Sequence, residues 1–193
     1  MNINKIESSR IVATIWLSGV TASGKTTLGK MLYEDLKNAG ILNLKFFDGE
    51  DLRKIQDRVY GYSVEERFNL IKKYTKMVKR ENKKGYAVII STVSHKKKMR
   101  NFARKNLNQF MEINLLCSPE TCAIRDYKNV YRRIRKEDNE CLPGVTEPYE
   151  ISDQAEVILD TEQNSIENSR IILLNKTMGF LNQNILQGNF IKK

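Results

Sequence analysis

The sequence predicts an α/β fold in three layers, with a mainly parallel five-stranded sheet between helices. Short apolar runs alternate with amphipathic stretches along the chain, which is typical of strand–helix–strand units. The first run leads directly into a Gly-x-x-x-x-Gly-Lys-Thr pattern at residues 19–26, which joins a strand to a helix and binds phosphate. Residues 128–147 are highly charged and show no clean period, which favours a mobile lid. These observations predict a fold of the P-loop NTPase type.

Five strands are predicted from short apolar runs that lack a helical period. Continuous apolar character is expected of strands that are buried on both faces of a parallel sheet. The runs lie at residues 11–17, 44–47, 86–90, 110–116 and 155–160. Because connections between parallel strands are right-handed, helices should cover both faces, and ligands should bind at the carboxyl ends of the strands.

Helices are predicted between these strands from apolar residues at helical spacing and from capping residues. The first helix follows the phosphate-binding pattern and should run from about residue 24 to residue 38. Ser63 and Ser94 are predicted N-caps of the next two helices, and Ser118-Pro119 should open a fourth. A closing helix is predicted from the spacing of four apolar residues, Ile171, Leu174, Met178 and Leu181.

The chain has 193 residues, three cysteines, one histidine and a formal net charge of +10. Its length fits a single domain over residues 1–193, with the lid at about 128–147. The cysteine spacing matches no zinc pattern, and unpaired cysteines without a signal peptide indicate the cytoplasm. No apolar run approaches the roughly 20 residues of a membrane-spanning helix, so no membrane contact is expected.

The net charge of +10 is consistent with either nucleic-acid binding or a site for small polyanions. The lysines are scattered over predicted helix faces, and the chain has no basic tail and no known nucleic-acid-binding module. A small-molecule polyanion is therefore the favoured partner, and no nucleic acid is expected.

The pattern at residues 19–26 predicts how a nucleoside triphosphate is bound. Its glycines let the backbone turn so that successive N–H groups point at phosphate oxygens, and the next helix adds the positive end of its dipole. Lys25 should reach the outer phosphates, and the Thr26 hydroxyl should ligate Mg²⁺. The alternative is a chance match in a glycine-containing turn. The residues predicted to bind ATP here are Gly19, Thr21, Ala22, Ser23, Gly24, Lys25, Thr26 and Thr27.

Asp48 is the candidate for activating an acceptor group and, with Lys25, a predicted catalytic residue. It ends a predicted strand, where a carboxylate can hold a Mg²⁺-bound water and accept a proton from an attacking hydroxyl. Arg53, about one helical turn further on, can bind an anionic group of the acceptor in bidentate fashion. The alternative is that Asp48 is a turn residue that caps the helix carrying Arg53.

Four further residues are candidates for contacts with substrates, and each has a structural alternative. Arg67 begins the second long helix and is either an acceptor ligand or a solvated surface residue. Tyr62 either stacks on a base or packs in the core, and Ser94 caps its helix, contacts the acceptor or does both. Arg125 starts the lid, where it either screens charge on the transferring phosphoryl group or belongs to a solvated basic helix.

Taken together, these motifs resemble the adenylyl-sulfate (APS) kinase family. Residues 16–27 resemble the family's W-x-T-G-L-S-G-S-G-K-S-T, and Val93-Ser94-His95 resembles its I-S-P segment. The resemblance covers about residues 13–182 and implies a kinase that uses Mg-ATP to phosphorylate the 3′-hydroxyl of adenosine 5′-phosphosulfate. Members of the family are often dimers, so the resemblance also allows a homodimer. Other segments match in the same order, at residues 47–53, 61–67, 125–131, 148–150 and 155–161.

The chain departs from the family pattern where the acceptor should bind. Leu70 replaces an Asn, Glu140 replaces a Lys, and Leu142 replaces the Phe that would stack on the acceptor's adenine. Loss of an aromatic platform removes roughly 1–3 kcal/mol of base stacking. Leu142 is still the predicted acceptor contact at this position. In the phosphate loop, Ala22 stands where the family has a second glycine.

These departures leave the identity of the nucleotide acceptor open. APS is the first candidate on the resemblance to the family. The alternative is cytidine diphosphoramidate, the substrate of a similar kinase of capsular polysaccharide modification, because a smaller pyrimidine needs less stacking area. A nucleotide sensor without catalysis is a further alternative, which the presence of Lys25, Thr26 and Asp48 disfavours.

Overall fold

The computed structural model describes residues 11–56, 59–126, 129–131 and 141–190, with residues 184–190 described by their backbone alone. In the described part of the chain, all strand pairs are parallel and follow the order β2-β3-β1-β4-β5. This confirms the predicted α/β fold and the five predicted strands. The strands are β1 (Thr14–Gly19), β2 (Leu44–Asp48), β3 (Ala87–Thr92), β4 (Phe110–Leu116) and β5 (Val157–Asp160).

The register of the sheet brings polar groups to one edge. Asp48 at the end of β2 is the partner of Ser91 in β3, and Ser18 in β1 is the partner of Thr92. Because parallel strands end at the same edge, the loops that follow β1, β2 and β3 meet there. The loops therefore meet at the edge of the sheet where a ligand site is expected, the carboxyl ends of the strands.

Six helices connect and follow the strands within the described residues. The Ser63 hydroxyl accepts a hydrogen bond from Glu66 N at 3.2 Å, and the Ser118 hydroxyl accepts one from Thr121 N at 3.2 Å, which confirms two predicted caps. None of the helices in the described ranges combines the length and apolarity that a bilayer crossing requires. The helices are α1 (Lys25–Asn38), α2 (Gly49–Lys54), α3 (Val64–Lys83), α4 (Lys97–Asn106), α5 (Pro119–Arg125) and α6 (Ile166–Phe190).

Two apolar cores lie on opposite faces of the sheet. On one face, α1 and α6 cover Ile15 and Leu17 of β1. On the other face, α3 and α4 cover Trp16 of β1 and Ile90 of β3. Consecutive residues of β1 point to opposite faces, so both cores need apolar side chains from the same strand. This explains why β1 has three consecutive apolar residues, Ile15-Trp16-Leu17, each buried side chain contributing roughly 1.5–3 kcal/mol.

Ser94 does not cap α4, and the prediction that it does so is wrong. The residue before α4 makes no side-chain capping hydrogen bond. The Ser94 hydroxyl instead accepts hydrogen bonds from Trp16 Nε1 and Thr92 Oγ1, both at 3.0 Å. The N–H of Lys97, at the start of α4, donates to Glu150 Oε2 at 2.7 Å. A carboxylate from a distant segment therefore replaces the local cap and also complements the helix dipole.

The buried face of α6 includes three of the four predicted residues, because Leu181 is buried and Leu174 and Met178 pack against the core, but not the fourth. Ile171, which the spacing directs inward, is 48% exposed, whereas Leu173 is 1% exposed and Leu181 is also buried. The guanidinium of Arg170 donates to both carboxylate oxygens of Asp35 in α1, at 2.6 and 2.8 Å. This ion pair orients α6 about its axis, and apolar spacing in the sequence cannot reveal it.

Half of the predicted lid, residue 128 and residues 132–140, lies outside the described residues. Arg132, Arg133, Arg135 and Glu140 are in that half. The described end of the lid forms a turn in which Gly144 N donates to Glu147 O at 2.7 Å. The return from the lid to β5 therefore starts from an ordered turn.

Truncation of Leu173 tests the assigned face of α6. Leu173→Ala should lower the free energy of unfolding by about 2–5 kcal/mol, because it empties a packed position against the core. Urea denaturation monitored by circular dichroism measures this change. The matched control Ile171→Ala lies on the same helix but is 48% exposed, and it should cost less than about 1 kcal/mol. Equal losses in the two variants would contradict the assignment.

Candidate active site

The loop between β1 and α1 requires glycine at two positions. A Cβ on Gly19 would lie 2.5 Å from Ser23 Oγ and 2.8 Å from Leu115 O. Gly24 precedes α1 with a φ of +92°, a left-handed conformation that favours glycine. The first backbone N–H groups of a helix have no partners within the helix, so this turn presents an anion-binding helix end.

Ala22 also adopts a left-handed conformation, with a φ of +61°. A residue with a Cβ pays a cost of roughly 1–2 kcal/mol there, which a glycine avoids. Two side chains from outside the loop hold the strained backbone in place. Tyr131 Oη donates to Thr21 O at 3.0 Å, and Thr161 Oγ1 donates to Ser23 O at 3.2 Å.

Lys25 is half-buried and turns back toward the loop. Its Nζ donates to Val20 O at 2.6 Å. Burial lowers the pKa of Lys25 to about 8, and the negative charge of Asp48 opposes this shift only in part. An anionic phosphate in the loop would favour the charged ammonium, so the position of Lys25 suits the predicted contact with the outer phosphates.

Asp48 accepts hydrogen bonds at both carboxylate oxygens. Oδ2 accepts from Thr26 Oγ1 at 2.5 Å and from Ser91 Oγ at 3.0 Å, and Oδ1 accepts from Glu50 N at 2.8 Å. Asp48 therefore caps α2 and its carboxylate also lies beside the phosphate loop, while its part in activating an acceptor stays a prediction. Burial raises the pKa of Asp48, but these hydrogen bonds and the charge of Lys25 outweigh burial and leave the pKa lowered. The group is an ionised carboxylate near neutral pH.

Three residues predicted to bind the acceptor lie together. The Cζ atoms of Arg53 and Arg67 are 4.2 and 5.2 Å from the ring centroid of Tyr62. Arg53 Nη2 donates to Tyr60 O and Gly61 O at 2.6 and 2.5 Å, and Arg67 Nε donates to Tyr62 O at 2.9 Å. Burial lowers the pKa of Arg67, and the positive charge of Arg53 adds to that shift. Two guanidinium groups held this close favour an anionic ligand.

Leu142 packs in an apolar cluster beneath the phosphate loop and is 2% exposed. Arg67 holds the preceding residue, because its Nη2 donates to Cys141 O at 3.1 Å. Leu142 therefore contacts the phosphate loop through the apolar cluster, and the residue before it is hydrogen-bonded to Arg67, a residue predicted to bind the acceptor. The contact of Leu142 with an acceptor stays a prediction. Its neighbours in the cluster are Val20, Cys122 and Tyr131.

Ser94 and His95 follow β3, and both side chains are fully buried. The contact of Ser94 with an acceptor stays a prediction, since its hydroxyl is already hydrogen-bonded within the core. Neither ring nitrogen of His95 has a hydrogen-bond partner among the residues that the structure describes. Burial, with the positive charges of Arg67 and Lys96, lowers the pKa of His95 to about 4. The imidazole is therefore neutral near pH 7.

Arg125 ends α5 and contacts the residue that follows β5. Its Nη1 donates to Thr161 Oγ1 at 3.2 Å, and its Nη2 donates to Thr161 O at 3.0 Å. Thr161 itself donates to Ser23 O in the phosphate loop. Arg125 is therefore linked to the loop through one residue, and its contact with ATP stays a prediction.

A cavity of about 660 Å³ opens beside the phosphate loop. It lies between the end of β4, the end of β5 and residues 144–149, and Val20 and Tyr149 are among the residues that line it. Its volume is within the range of roughly 300–1,000 Å³ that small-molecule sites occupy. The candidate site therefore has open space on the β5 side of the phosphate loop.

Three residues of the site are not singled out by the sequence. Tyr131 and Thr161 brace the phosphate loop, and each closes a segment that resembles the kinase family, so the resemblance is the signal that can find them. Ser91 donates to Asp48 but carries no sequence signal. Only the register of β2 against β3 places it beside Asp48.

Comparisons with known proteins give a family model, sequence relatives and solved structures. The model of the family described as adenylylsulphate kinase matches residues 11–160. A probable adenylyl-sulfate kinase of Archaeoglobus fulgidus is 32% identical over 150 residues, which is 78% of this chain and 96% of the relative. The cytidine diphosphoramidate kinase of Campylobacter jejuni is 32% identical over 162 residues, which is 84% of this chain and 94% of the relative. The structure of the Mycobacterium tuberculosis APS kinase in complex with AMPPNP and APS has the same fold, with a TM-score of 0.78 and 22% identity over 86% of this chain and 97% of that chain.

The pKa of the imidazole can be measured directly, because His95 is the single histidine of the chain. We expect it to titrate near pH 4 in the folded protein, well below the usual 6.5. Between these two values the unfolded chain binds a proton that the folded protein does not. The free energy of unfolding should therefore fall as the pH drops from about 6.5 to about 4. An NMR titration of tag-free protein tests this, and a pKa at or above 6.5 would contradict it.

Proposed function

Because the chain belongs to the adenylylsulphate kinase family, we propose that it transfers the γ-phosphate of ATP to the ribose 3′-hydroxyl of a small nucleotide. Members of this family are ATP-dependent phosphotransferases. The observation that carries the proposal is the hydrogen bond from Thr26, beside the phosphate loop, to Asp48. It puts an ionised carboxylate next to the place where the donor phosphate would lie.

On the donor side, groups of the chain bind and orient phosphate. The loop N–H groups and the start of α1 would hold phosphate oxygens. The ammonium of Lys25 would leave the Val20 carbonyl and bind the outer phosphates instead. Gly19 and Gly24 let the backbone adopt the tight turn that this requires. Since phosphoryl transfer needs little covalent chemistry from the protein, positioning and charge stabilisation account for most of the catalysis.

Thr26 and Asp48 also fit a magnesium site. Their side-chain oxygens are 2.5 Å apart, and hydroxyl and carboxylate oxygens are ligands of the type that Mg²⁺ prefers. Within the described ranges, no three His, Cys, Asp or Glu side chains cluster into a metal cage. This suits Mg²⁺, which usually keeps several waters and takes one or two protein groups together with substrate phosphates. When bound, the ion supplies positive charge that stabilises the transferring phosphoryl group.

Asp48 would orient the acceptor hydroxyl and accept its proton. Its lowered pKa makes it a weak base, so the proton would move only as the new oxygen–phosphorus bond forms. The carboxylate accepts hydrogen bonds from Ser91 in the sheet and from the N–H of Glu50 in α2. These contacts leave the carboxylate positioned even when the Thr26 hydroxyl turns to a metal ion.

Arg53 and Arg67 would bind the anionic end of the acceptor. APS is the first candidate acceptor, supported by the family and by relatives that carry the name adenylyl-sulfate kinase. Cytidine diphosphoramidate is the second, supported by the Campylobacter jejuni relative and by Leu142 at the position of the stacking Phe. A homodimer, which the resemblance to the family allows, and a cytoplasmic location, which the sequence predicts, both stay predictions.

Replacement of Asp48 tests its part in the reaction. Asp48→Asn keeps the shape but removes the charge, so turnover should fall at least about 100-fold while ATP binding changes little. ADP release and the binding of an ATP analogue measure the two effects separately. Asp51→Asn is the matched control, because Asp51 lies in the short helix that Asp48 caps and its side chain is 74% exposed, and it should retain turnover. Full turnover in Asp48→Asn would exclude the proposed role.

The choice of acceptor can be tested with the wild-type enzyme. It is incubated with Mg-ATP and either APS or cytidine diphosphoramidate, and ADP release gives kcat/KM for each. We expect transfer to at least one of them, with APS the first candidate. Binding of ATP without transfer to any nucleotide in a wider panel would instead favour a nucleotide sensor.

A further inference from the structure

We propose that His95 is a specificity-determining residue whose neutral imidazole hydrogen-bonds the base of the acceptor nucleotide. This inference rests on the proposed function, because it assigns a role within the same acceptor site. Two kinds of group would then recognise the acceptor. Arg53 and Arg67 take the anionic end of the acceptor, and His95 takes the uncharged polar edge of its base.

The imidazole of His95 is a buried polar group with no hydrogen-bond partner among the described residues. The residue is 0% exposed, and neither ring nitrogen is hydrogen-bonded within the described part of the chain. Buried polar groups are nearly always hydrogen-bonded, because an unpaired one costs roughly 1–3 kcal/mol. A ligand that supplies the missing partner would recover that free energy, so the unpaired nitrogens indicate a binding position.

Segments that carry acceptor residues meet around His95. The residue lies in the loop after β3, shortly beyond Ser91, which donates to Asp48. Its carbonyl accepts a hydrogen bond from Glu150 N at 2.8 Å. Residues 147–150, which we call the lid return, therefore lie against His95. The charge of Arg67, at the start of α3, also acts on the imidazole. His95 therefore lies where α3, the β3–α4 loop and the lid return come together.

The backbone that carries His95 is held on both sides. The buried guanidinium of Arg100 donates to the carbonyls of Ser94 and Glu150, which joins the β3–α4 loop to the lid return. Arg100 is itself held by Glu112, with Nε 2.8 Å from Oε1. A side chain on a backbone held this way loses little freedom when a ligand binds, which improves discrimination between ligands.

The charges that face His95 leave its imidazole neutral. Arg67 from α3 and Lys96 from the same loop oppose its protonation, while Glu147 and Glu150 from the lid return favour it. Lys96 is paired with both of these carboxylates, so their effects largely cancel and burial decides. A neutral imidazole has one donor and one acceptor. Because the two ring nitrogens point in diverging directions, one of them would face the base, either accepting from an amino group or donating to a ring nitrogen, and both groups occur on the edges of cytosine and adenine.

The substitutions in the acceptor region support the same assignment. Leu142 and Leu70 stand where the family pattern has a stacking Phe and an Asn, so two polar or aromatic contacts are lost. His95 stands where the I-S-P segment has proline, whose side chain has neither donor nor acceptor. A hydrogen bond between His95 and the base would replace the contacts that these substitutions remove.

NMR of the wild-type chain gives the first test. Because His95 is the single histidine, its imidazole resonances report on this position alone in tag-free, full-length protein. We expect them to shift when APS or cytidine diphosphoramidate binds, whichever of the two is the accepted substrate. Ribose 5-phosphate, which has the anionic group but no base, and an ATP analogue alone should leave them unchanged. Unchanged resonances with the accepted nucleotide would overturn the inference.

Kinetics of two variants give the second test. His95→Phe removes both ring nitrogens, so KM for the acceptor should rise about tenfold while KM for ATP and kcat stay unchanged. His95→Gln retains a donor and an acceptor and should recover part of the loss. The matched control is Thr177→Val in α6, the helix that packs against α1. Thr177 is also fully buried, and its side-chain oxygen has no hydrogen-bond partner among the described residues. It should leave both KM values at the wild-type level.

The inference and the proposed function fail in different ways. If the wild type phosphorylates a nucleotide and His95→Phe keeps the wild-type KM for it, His95 has only a structural role. If His95→Phe does not fold, the imidazole resonances of the wild type decide the question. If the wild type phosphorylates no nucleotide, the proposed function is wrong whatever His95 contributes.

Discussion

The carboxylate of Asp48 is the group whose hydrogen bonds hold the rest of the site in place. It joins three elements, because it accepts hydrogen bonds from Thr26 in α1, Ser91 in β3 and the N–H of Glu50 in α2. A shift of one residue in the β2–β3 register would turn Ser91 to the other face of the sheet and remove one of these bonds. The apolar core that sets this register therefore also sets the position of the proposed catalytic group.

The acceptor side depends on a second, buried interaction. Arg100 and Glu112 are both fully buried and form an ion pair, and Arg100 also donates to the carbonyls of Ser94 and Glu150. A buried ion pair offsets much of its Coulomb energy by desolvation, so it is weak evidence for stability. Its effect here is positional, since it joins the loop after β3 to the segment that returns from the lid. The donor side comes from one short stretch of chain, whereas the acceptor side is assembled from several.

That difference explains which site residues the sequence could predict. The phosphate loop was predicted residue by residue, because its function follows from glycine conformations and a helix end within residues 19–26. Arg53, Tyr62 and Arg67 were predicted as separate candidates, and the fold brings them together. The predicted cap by Ser94 was wrong because a core contact takes its hydroxyl.

Local patterns in the sequence thus determine which segments become strands and helices, and they determine the turn at residues 19–26, because residue spacing and glycine conformation are local properties. The parallel direction of the strands could be predicted from the alternation of strands and helices along the chain. The three-dimensional fold decides which side of α6 is buried, that Glu150 caps α4, and that Ser91 meets Asp48. It also decides that His95 is buried with no hydrogen-bond partner for its ring nitrogens among the described residues. These features depend on contacts between segments far apart in the chain, which no local spacing of residues encodes.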